Sequence, residues 1–262
     1  MPGPAAAQQP KPAPAPAQQG PGTLAIADTT GRNADGEAEL GSGGAVLLPH
    51  HEAALRQALV AAARGVGGVE NVSVSIQTRI VAHAVQRGVK VRLVTETDYI
   101  GESGVLALRA VNVPVVDDQR PSALMHNKFM VFDGKSVWTG SMNFTENCAY
   151  RNNNNGIYIA NGKVADNYST KFKWMFEQRK FGGAPLFGQI PNPLVQVKSD
   201  FPVENYFSTH DRGASHVVET VKKATKSIHF LAFSFTHPGI GDAMLERSRA
   251  GVQVKSAPVE CG

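Results

Sequence analysis

Residues 125–143 read MHNKFMVFDGKSVWTGSMN, and the reading of this stretch decides the fold. Two apolar runs, Phe129–Phe132 and Val137–Gly140, flank Asp133, Gly134 and Lys135, which is the pattern of two short strands joined by a tight hairpin turn. The polar residues fall at fixed offsets within this frame. His126, Lys128 and Asp133, followed by Gly140, Ser141 and Asn143, spell H-x-K-x4-D-x6-G-S-x-N.

Working outward, the spacing predicts further elements on both sides. Residues 53–64 (AALRQALVAAAR) are helix formers with apolar residues at helical spacing, stopped by Gly65. Residues 71–76 (NVSVSI) alternate with period two, as do Val89, Val91 and Leu93, and a short helix over 79–86 lies between them. This is a βαβ unit, so its two strands should lie parallel in one sheet. A helix over 103–111 and a strand over 114–116 lead into the motif. After it come a strand at 156–160 and a helix over 163–179 with Val164, Tyr168, Phe172, Met175 and Phe176 on one face.

The second half repeats the first. Residues 227–236 (SIHFLAFSFT) correspond to the strand at 71, residues 240–249 to the helix at 80, and AGVQVK at 250–255 to RGVKVR at 87–92. A leading helix over 214–224 matches the one at 53. The aromatic residues Phe230, Phe233 and Phe235 on the second-repeat strand are expected in its core rather than as a base-stacking platform. His126 lies 38 positions after Gly88, so the counterpart of that histidine would fall beyond Gly262. The expected organisation is a disordered Pro/Ala/Gly-rich tail over 1–44, a first repeat with the complete motif over 45–185, and the front of a second repeat over 186–262. Within the tail, Thr23–Ile26 is a candidate strand.

Bulk properties exclude more than they select. The 262 residues carry a formal net charge of +4, compatible with an anionic partner such as a phospholipid headgroup or nucleic acid. Two cysteines, Cys148 and Cys261, give neither a disulfide framework nor zinc-ligand pairs, which makes a reducing, cytoplasmic setting the default expectation. No apolar run is long enough for a transmembrane helix, and no signal peptide is visible.

The motif residues suit phosphoryl chemistry. A phosphodiester is an anion that repels nucleophiles, so its oxygens must be neutralised while a nucleophile is presented in line with the leaving oxygen. His126 and Lys128, two apart at the start of a strand, should share one face. Neutral imidazole attacks phosphorus near pH 7, and an adjacent ammonium offsets the growing charge. Ser141 and Asn143 can donate to the same oxygens. Asp133 fits the hairpin turn for backbone reasons and is assigned a supporting part.

H126-N-K-F-M-V-F-D-G-K and T139-G-S-M-N-F-T resemble the HKD signature of the phospholipase D superfamily. The resemblance implies an α/β fold with mixed, mostly parallel sheets flanked by helices, and metal-independent phosphodiester hydrolysis without a cofactor. His126 would form a phosphohistidine, Lys128, Ser141 and Asn143 would clamp the phosphate, and a second motif histidine would act as general acid. Many members carry a glutamate about eleven positions after the motif asparagine that orients the imidazole. Asn154 stands there in this chain. Because one motif histidine is present, a homodimer that brings two copies of His126 together would complete the site. The substrate class stays open between a phospholipid headgroup, favoured by the two-repeat resemblance, and DNA or RNA. A third reading is an inactive phosphate-binding remnant.

Overall fold

In the computed structural model, the residues described are 23–28, 81–182 apart from 83, 188–199 and 201–256. The expected helix at 53–64 and strand at 71–76 lie outside them. Among the described residues, helical positions 81–82 and 84–86 precede β2, and ten strands and five further helices run in chain order: β1 (Thr23–Asp28), β2 (Lys90–Thr95), α1 (Ser103–Ala110), β3 (Val115–Asp117), β4 (Phe129–Phe132), β5 (Ser136–Gly140), α2 (Glu146–Tyr150), β6 (Gly156–Ile159), α3 (Gly162–Phe176), β7 (Leu194–Lys198), β8 (Phe201–Glu204), α4 (Gly213–Lys222), β9 (Ser227–Phe230), α5 (Pro238–Arg249) and β10 (Gln253–Ser256).

Six of these strands form one sheet in the order β3-β2-β1-β4-β5-β6. Its two halves pair differently. β1, β2 and β3 are parallel, whereas β1–β4, β4–β5 and β5–β6 are antiparallel. The expectation of mostly parallel pairing therefore holds for one half only, because tight connections of a few residues can join antiparallel neighbours but not parallel ones. The hairpin expected from Asp133 and Gly134 joins β4 to β5, with Phe129 opposite Thr139 and Phe132 opposite Ser136.

β1 corrects the expected tail. Thr23–Asp28 runs through the middle of the sheet, with Leu24 opposite Val91 on one side and Phe132 on the other. Its sequence, TLAIAD, contains neither Pro nor Gly, so it can supply a full row of backbone donors and acceptors to two neighbours. The strand expected at Thr23–Ile26 is thus present and extends to Asp28.

Alternation divides the sheet's side chains between two layers. On one face Val94, Phe129, Val131 and Val137 pack with Ala165, Phe172 and Met175 of α3. On the other, Val91 and Leu93 pack with Val105, Leu106 and Leu108 of α1 and with Val81 and Ala82, joined by Met130 and Trp138. α3 starts sharply because the Asn161 side chain accepts from the backbone N–H groups of Lys163 and Val164. Beyond α3, the β7–β8 hairpin packs Val195 against Ile159 and Val164.

The second repeat is folded as its sequence predicts at the level of local structure. β9 and β10 are parallel, with Gln253 opposite Ser227, and α5 connects them. α5 begins at Pro238, where the His237 imidazole accepts from the Ile240 N–H. Its aromatic strand differs from expectation, however. β9 stops at Phe230, Phe233 is 98% exposed, and Phe235 is also exposed. Among the described residues no layer comparable to α3 covers them, which leaves that part of the expected second core open.

Candidate active site

The motif hairpin puts its polar residues at two opposite ends. At the turn, Asp133 and Gly134 have φ of 53° and 66°, and the Lys135 N–H donates to the Phe132 carbonyl at 2.9 Å. Both central residues of such a turn need positive φ, which Asp tolerates better than most residues and Gly adopts freely. At the other end, His126 and Lys128 precede β4. Five residues of strand at about 3.3 Å each put Asp133 roughly 16 Å from Lys128. Asp133 is thus a turn residue, and its assignment among the catalytic residues is corrected.

His126 and Lys128 open onto a cavity of about 440 Å³, within the roughly 300–1,000 Å³ range of small-ligand sites. Strand pairing begins only at Phe129, so the two side chains do not share a face through strand alternation. The segment leaves the sheet edge and turns both into the cavity. The Lys128 ammonium, 7% exposed, donates to the carbonyl oxygen of His126 at 3.1 Å. The Thr139 hydroxyl in turn donates to the Lys128 carbonyl at 2.9 Å, tying the segment to β5. Burial, and after it the charge of Lys128, holds the His126 imidazole below the usual histidine range. It is consequently neutral at pH 7, the form with a nucleophilic lone pair.

Among the described residues, three cations line this cavity and no carboxylate does: Arg120, Lys128 and Lys171. Sequence reasoning missed the first and the last. Lys171 was legible as an anomaly, since it lies seven residues after Val164 and four before Met175 on the apolar stripe of α3. A lysine there has to be buried, and its side chain is 3% exposed. Burial lowers it to about 8, against the opposing charge of Asp211 and with a smaller push from Arg120. Arg120 is aimed by Asp118, whose carboxylate accepts from its Nε at 3.1 Å. Tyr168, one turn before Lys171, and Tyr206, Phe207, Ser208 and Thr209 complete the wall. The cavity is therefore built from segments of both halves of the chain.

Behind the histidine lies a support that the sequence did not signal. Glu96, directly after β2, is fully buried, and its Oε2 accepts from the N–H of Met125 at 2.6 Å. Its carboxyl is raised above the usual range by burial, with the Met125 bond opposing and Asp118 and Asp98 adding repulsion. The end of β2 thereby holds the backbone immediately preceding His126.

Ser141, Asn143 and Asn154 do not line the cavity. Ser141 donates to the Asn154 side-chain oxygen at 3.0 Å and accepts from the Asn155 N–H at 3.0 Å. The Asn154 amide donates to the Cys148 carbonyl at 2.8 Å. Asn143 interacts with the Cys148 thiol. These residues fasten the loop after β5 to the loop before β6, and the phosphate-binding roles expected of Ser141 and Asn143 and the orienting role expected of Asn154 have no counterpart in the wall of this cavity. Gly140 has a clearer reason: a Cβ there would lie 2.1 Å from the Asn155 carbonyl oxygen. Only glycine permits that approach of β5 to β6.

A neutral imidazole that shares its cavity with three cations, at the start of a strand in a mixed sheet flanked by helices, defines a cationic small-ligand site. Residues 71–176 match the family described as "Cardiolipin synthase, PLD-like domain". Over this stretch, which holds His126 and Lys128, the chain is similar to the phospholipase D superfamily. It is 32% identical over 137 residues to mitochondrial cardiolipin hydrolase of Xenopus tropicalis, covering 50% of this chain and 65% of that protein. Over 96 residues it is 35% identical to phospholipase D of Rickettsia prowazekii (strain Madrid E), covering 36% of this chain and 46% of that protein. A structural similarity to Nuc, a phospholipase D family member from Salmonella typhimurium, has a TM-score of 0.37 and 22% identity, covering 45% of this chain and 86% of that one. The chain thus spans less than two thirds of the length of either curated relative.

Proposed function

We propose that this protein hydrolyses phospholipid phosphodiesters, with His126 as nucleophile. The observation that carries this reading is the cavity that a neutral His126 shares with Arg120, Lys128 and Lys171, with no carboxylate among the described residues of its wall. Such a wall favours a monoanionic diester and becomes more favourable as charge gathers on the phosphoryl oxygens in the transition state. The His126 lone pair attacks phosphorus, the P–O bond to the headgroup breaks, and water then attacks the phosphohistidine to release phosphatidate. Lys128 neutralises the oxygens beside the attacking nitrogen. Arg120 and Lys171 supply charge from the other walls.

A lipid is favoured over a nucleic acid by the mouth of the cavity and by the names of the relatives. Leu124, at the rim, is 67% exposed, and Phe181 stands with it. An apolar rim suits acyl chains better than a sugar-phosphate backbone. No described helix is long and apolar enough to cross a membrane. The test is headgroup release from phosphatidylcholine and cardiolipin in mixed micelles, with and without EDTA, beside cleavage of single-stranded DNA. We expect lipid hydrolysis unaffected by EDTA and lowered on the order of 10⁴-fold or more by His126→Ala. DNA cleavage without lipid hydrolysis would move the substrate to nucleic acid, and no hydrolysis of either would leave a phosphate-binding protein.

A further inference from the structure

We propose that Glu96 is a positioning residue for the reaction: through the Met125 N–H it fixes the segment that presents His126 to the cavity. This rests on the phosphodiesterase reading above and concerns a group outside the cavity wall. The base of Glu96 is immobile. It follows Thr95, which pairs with Asp28 of β1 on one side and Asp117 of β3 on the other. Its carbonyl accepts from the Tyr99 N–H at 3.2 Å, so the backbone is held by the sheet before it and a turn after it. The carboxyl makes one bond. Oε2 accepts from the Met125 N–H at 2.6 Å, short for an N–H···O bond, while Oε1 is buried with no hydrogen-bond partner among the described residues. A carboxyl buried in this way is costly. A side chain that only filled the space would be apolar; what the carboxyl adds is an acceptor for the amide one residue before His126.

Glu96 is one of three ties from the strand ends to this segment. Asp118, just after β3, accepts from the Arg120 Nε at 3.1 Å, and Asp98 accepts from the Ser122 N–H at 3.0 Å. Thr97 joins the two strand ends, giving its hydroxyl to Asp118 Oδ1 at 2.8 Å and its N–H to the same oxygen at 3.0 Å. The ties thus meet the segment at residues 120, 122 and 125, and the Glu96 tie is the one beside His126. Burial, with repulsion from Asp118 and Asp98, raises the Glu96 carboxyl above the usual range, which biases it toward the neutral acid. Its part is therefore to accept a hydrogen bond rather than to supply charge. In-line attack on phosphorus depends steeply on where the imidazole sits, and a misplacement of about 1 Å costs on the order of 10²-fold in rate. A rigid acceptor one residue away restricts that freedom without touching substrate.

The test separates reach from charge at this position. Glu96→Gln keeps the reach and an acceptor oxygen, Glu96→Asp keeps a carboxyl but ends about 1.5 Å short, and Glu96→Leu fills the space without an acceptor. Thr95→Val controls for packing, since Thr95 is buried beside Glu96 and its hydroxyl has no partner among the described residues. Each would be assayed with bis(p-nitrophenyl) phosphate, phosphatidylcholine micelles and a single-stranded oligonucleotide, and the His126 imidazole would be titrated by NMR. On the substrates wild type cleaves, we expect Glu96→Asp and Glu96→Leu to lower kcat about 10- to 10²-fold with KM within about threefold. Glu96→Gln and Thr95→Val should stay within about threefold of wild type in both constants. The His126 imidazole, held low by burial and then by Lys128, should titrate higher in Glu96→Asp and Glu96→Leu and at its wild-type position in the other two. If Glu96→Leu does not fold, the order of Glu96→Gln above Glu96→Asp carries the test. Equal losses in Glu96→Gln and Glu96→Asp, wild-type kcat in Glu96→Asp, a comparable loss in Thr95→Val, or a His126 titration that no variant moves would overturn the assignment. Wild type inactive on all three substrates would instead remove the phosphodiesterase reading, and the His126 titrations would then decide the positioning role by themselves.

Discussion

The segment leading into β2 and the segment leading into β10 carry the same local code and reach different ends. In both, a helix closes on a glycine in the left-handed region, Gly88 at φ 87° and Gly251 at φ 88°. In both, the next residue bonds back to the helix: Val89 N–H donates to the Ala84 carbonyl and Val252 N–H to the Arg247 carbonyl, each at 3.0 Å. A parallel strand follows each time. Yet Val91, Leu93 and Val94 of β2 are buried between two helical layers, while β10 alternates between partly and fully exposed. Local sequence sets helix, stop and strand; burial depends on what arrives to cover them.

That contrast can be broken by substitution in the full chain. Leu93→Ala should destabilise by about 2–5 kcal/mol, because a cavity opens between β2 and α1. Val254→Ala on β10, the counterpart of the buried Val91, should cost less than about 1 kcal/mol, since its site is already partly solvated. Urea melts of the two variants measure the difference, and equal costs would mean that the second repeat has a core of its own. Gly88→Ala and Gly251→Ala should each cost about 1–2 kcal/mol, because each forces a Cβ into the left-handed region. Here the two repeats should agree, and a large disparity would show that the shared turn is not what holds them. The smallest effect is expected at Phe233, where Phe233→Ser should shift stability by less than about 0.5 kcal/mol.

The sequence made legible whatever depends on short-range pattern. The β4–β5 hairpin followed from two apolar runs around Asp133 and Gly134, and α3 from the spacing of Val164, Tyr168, Phe172 and Met175. Long-range assembly was less accessible. TLAIAD was legible as a strand, but nothing local marks it as the one between β2 and β4. The site divides in the same way. His126 and Lys128 were readable from their spacing, whereas Arg120 and Lys171 reach the cavity only through folding. Ser141 and Asn143 were expected at the phosphate and Asn154 at the imidazole, whereas Ser141 and Asn154 hydrogen-bond to each other and Asn154 to the Cys148 carbonyl, joining the loops beside β5 and β6. Residue spacing identifies neighbours along the chain and leaves the direction of each side chain undetermined.

The central claim is that His126 becomes covalently bonded to phosphorus. Protein mixed with bis(p-nitrophenyl) phosphate and quenched in base within a turnover should carry one phosphoryl ester adduct per chain by intact mass. Peptide mapping should place it on His126, acid should release it, and His126→Ala should show neither adduct nor turnover. Turnover at the wild-type rate by His126→Ala, or an adduct on a residue outside the cavity, would contradict the account.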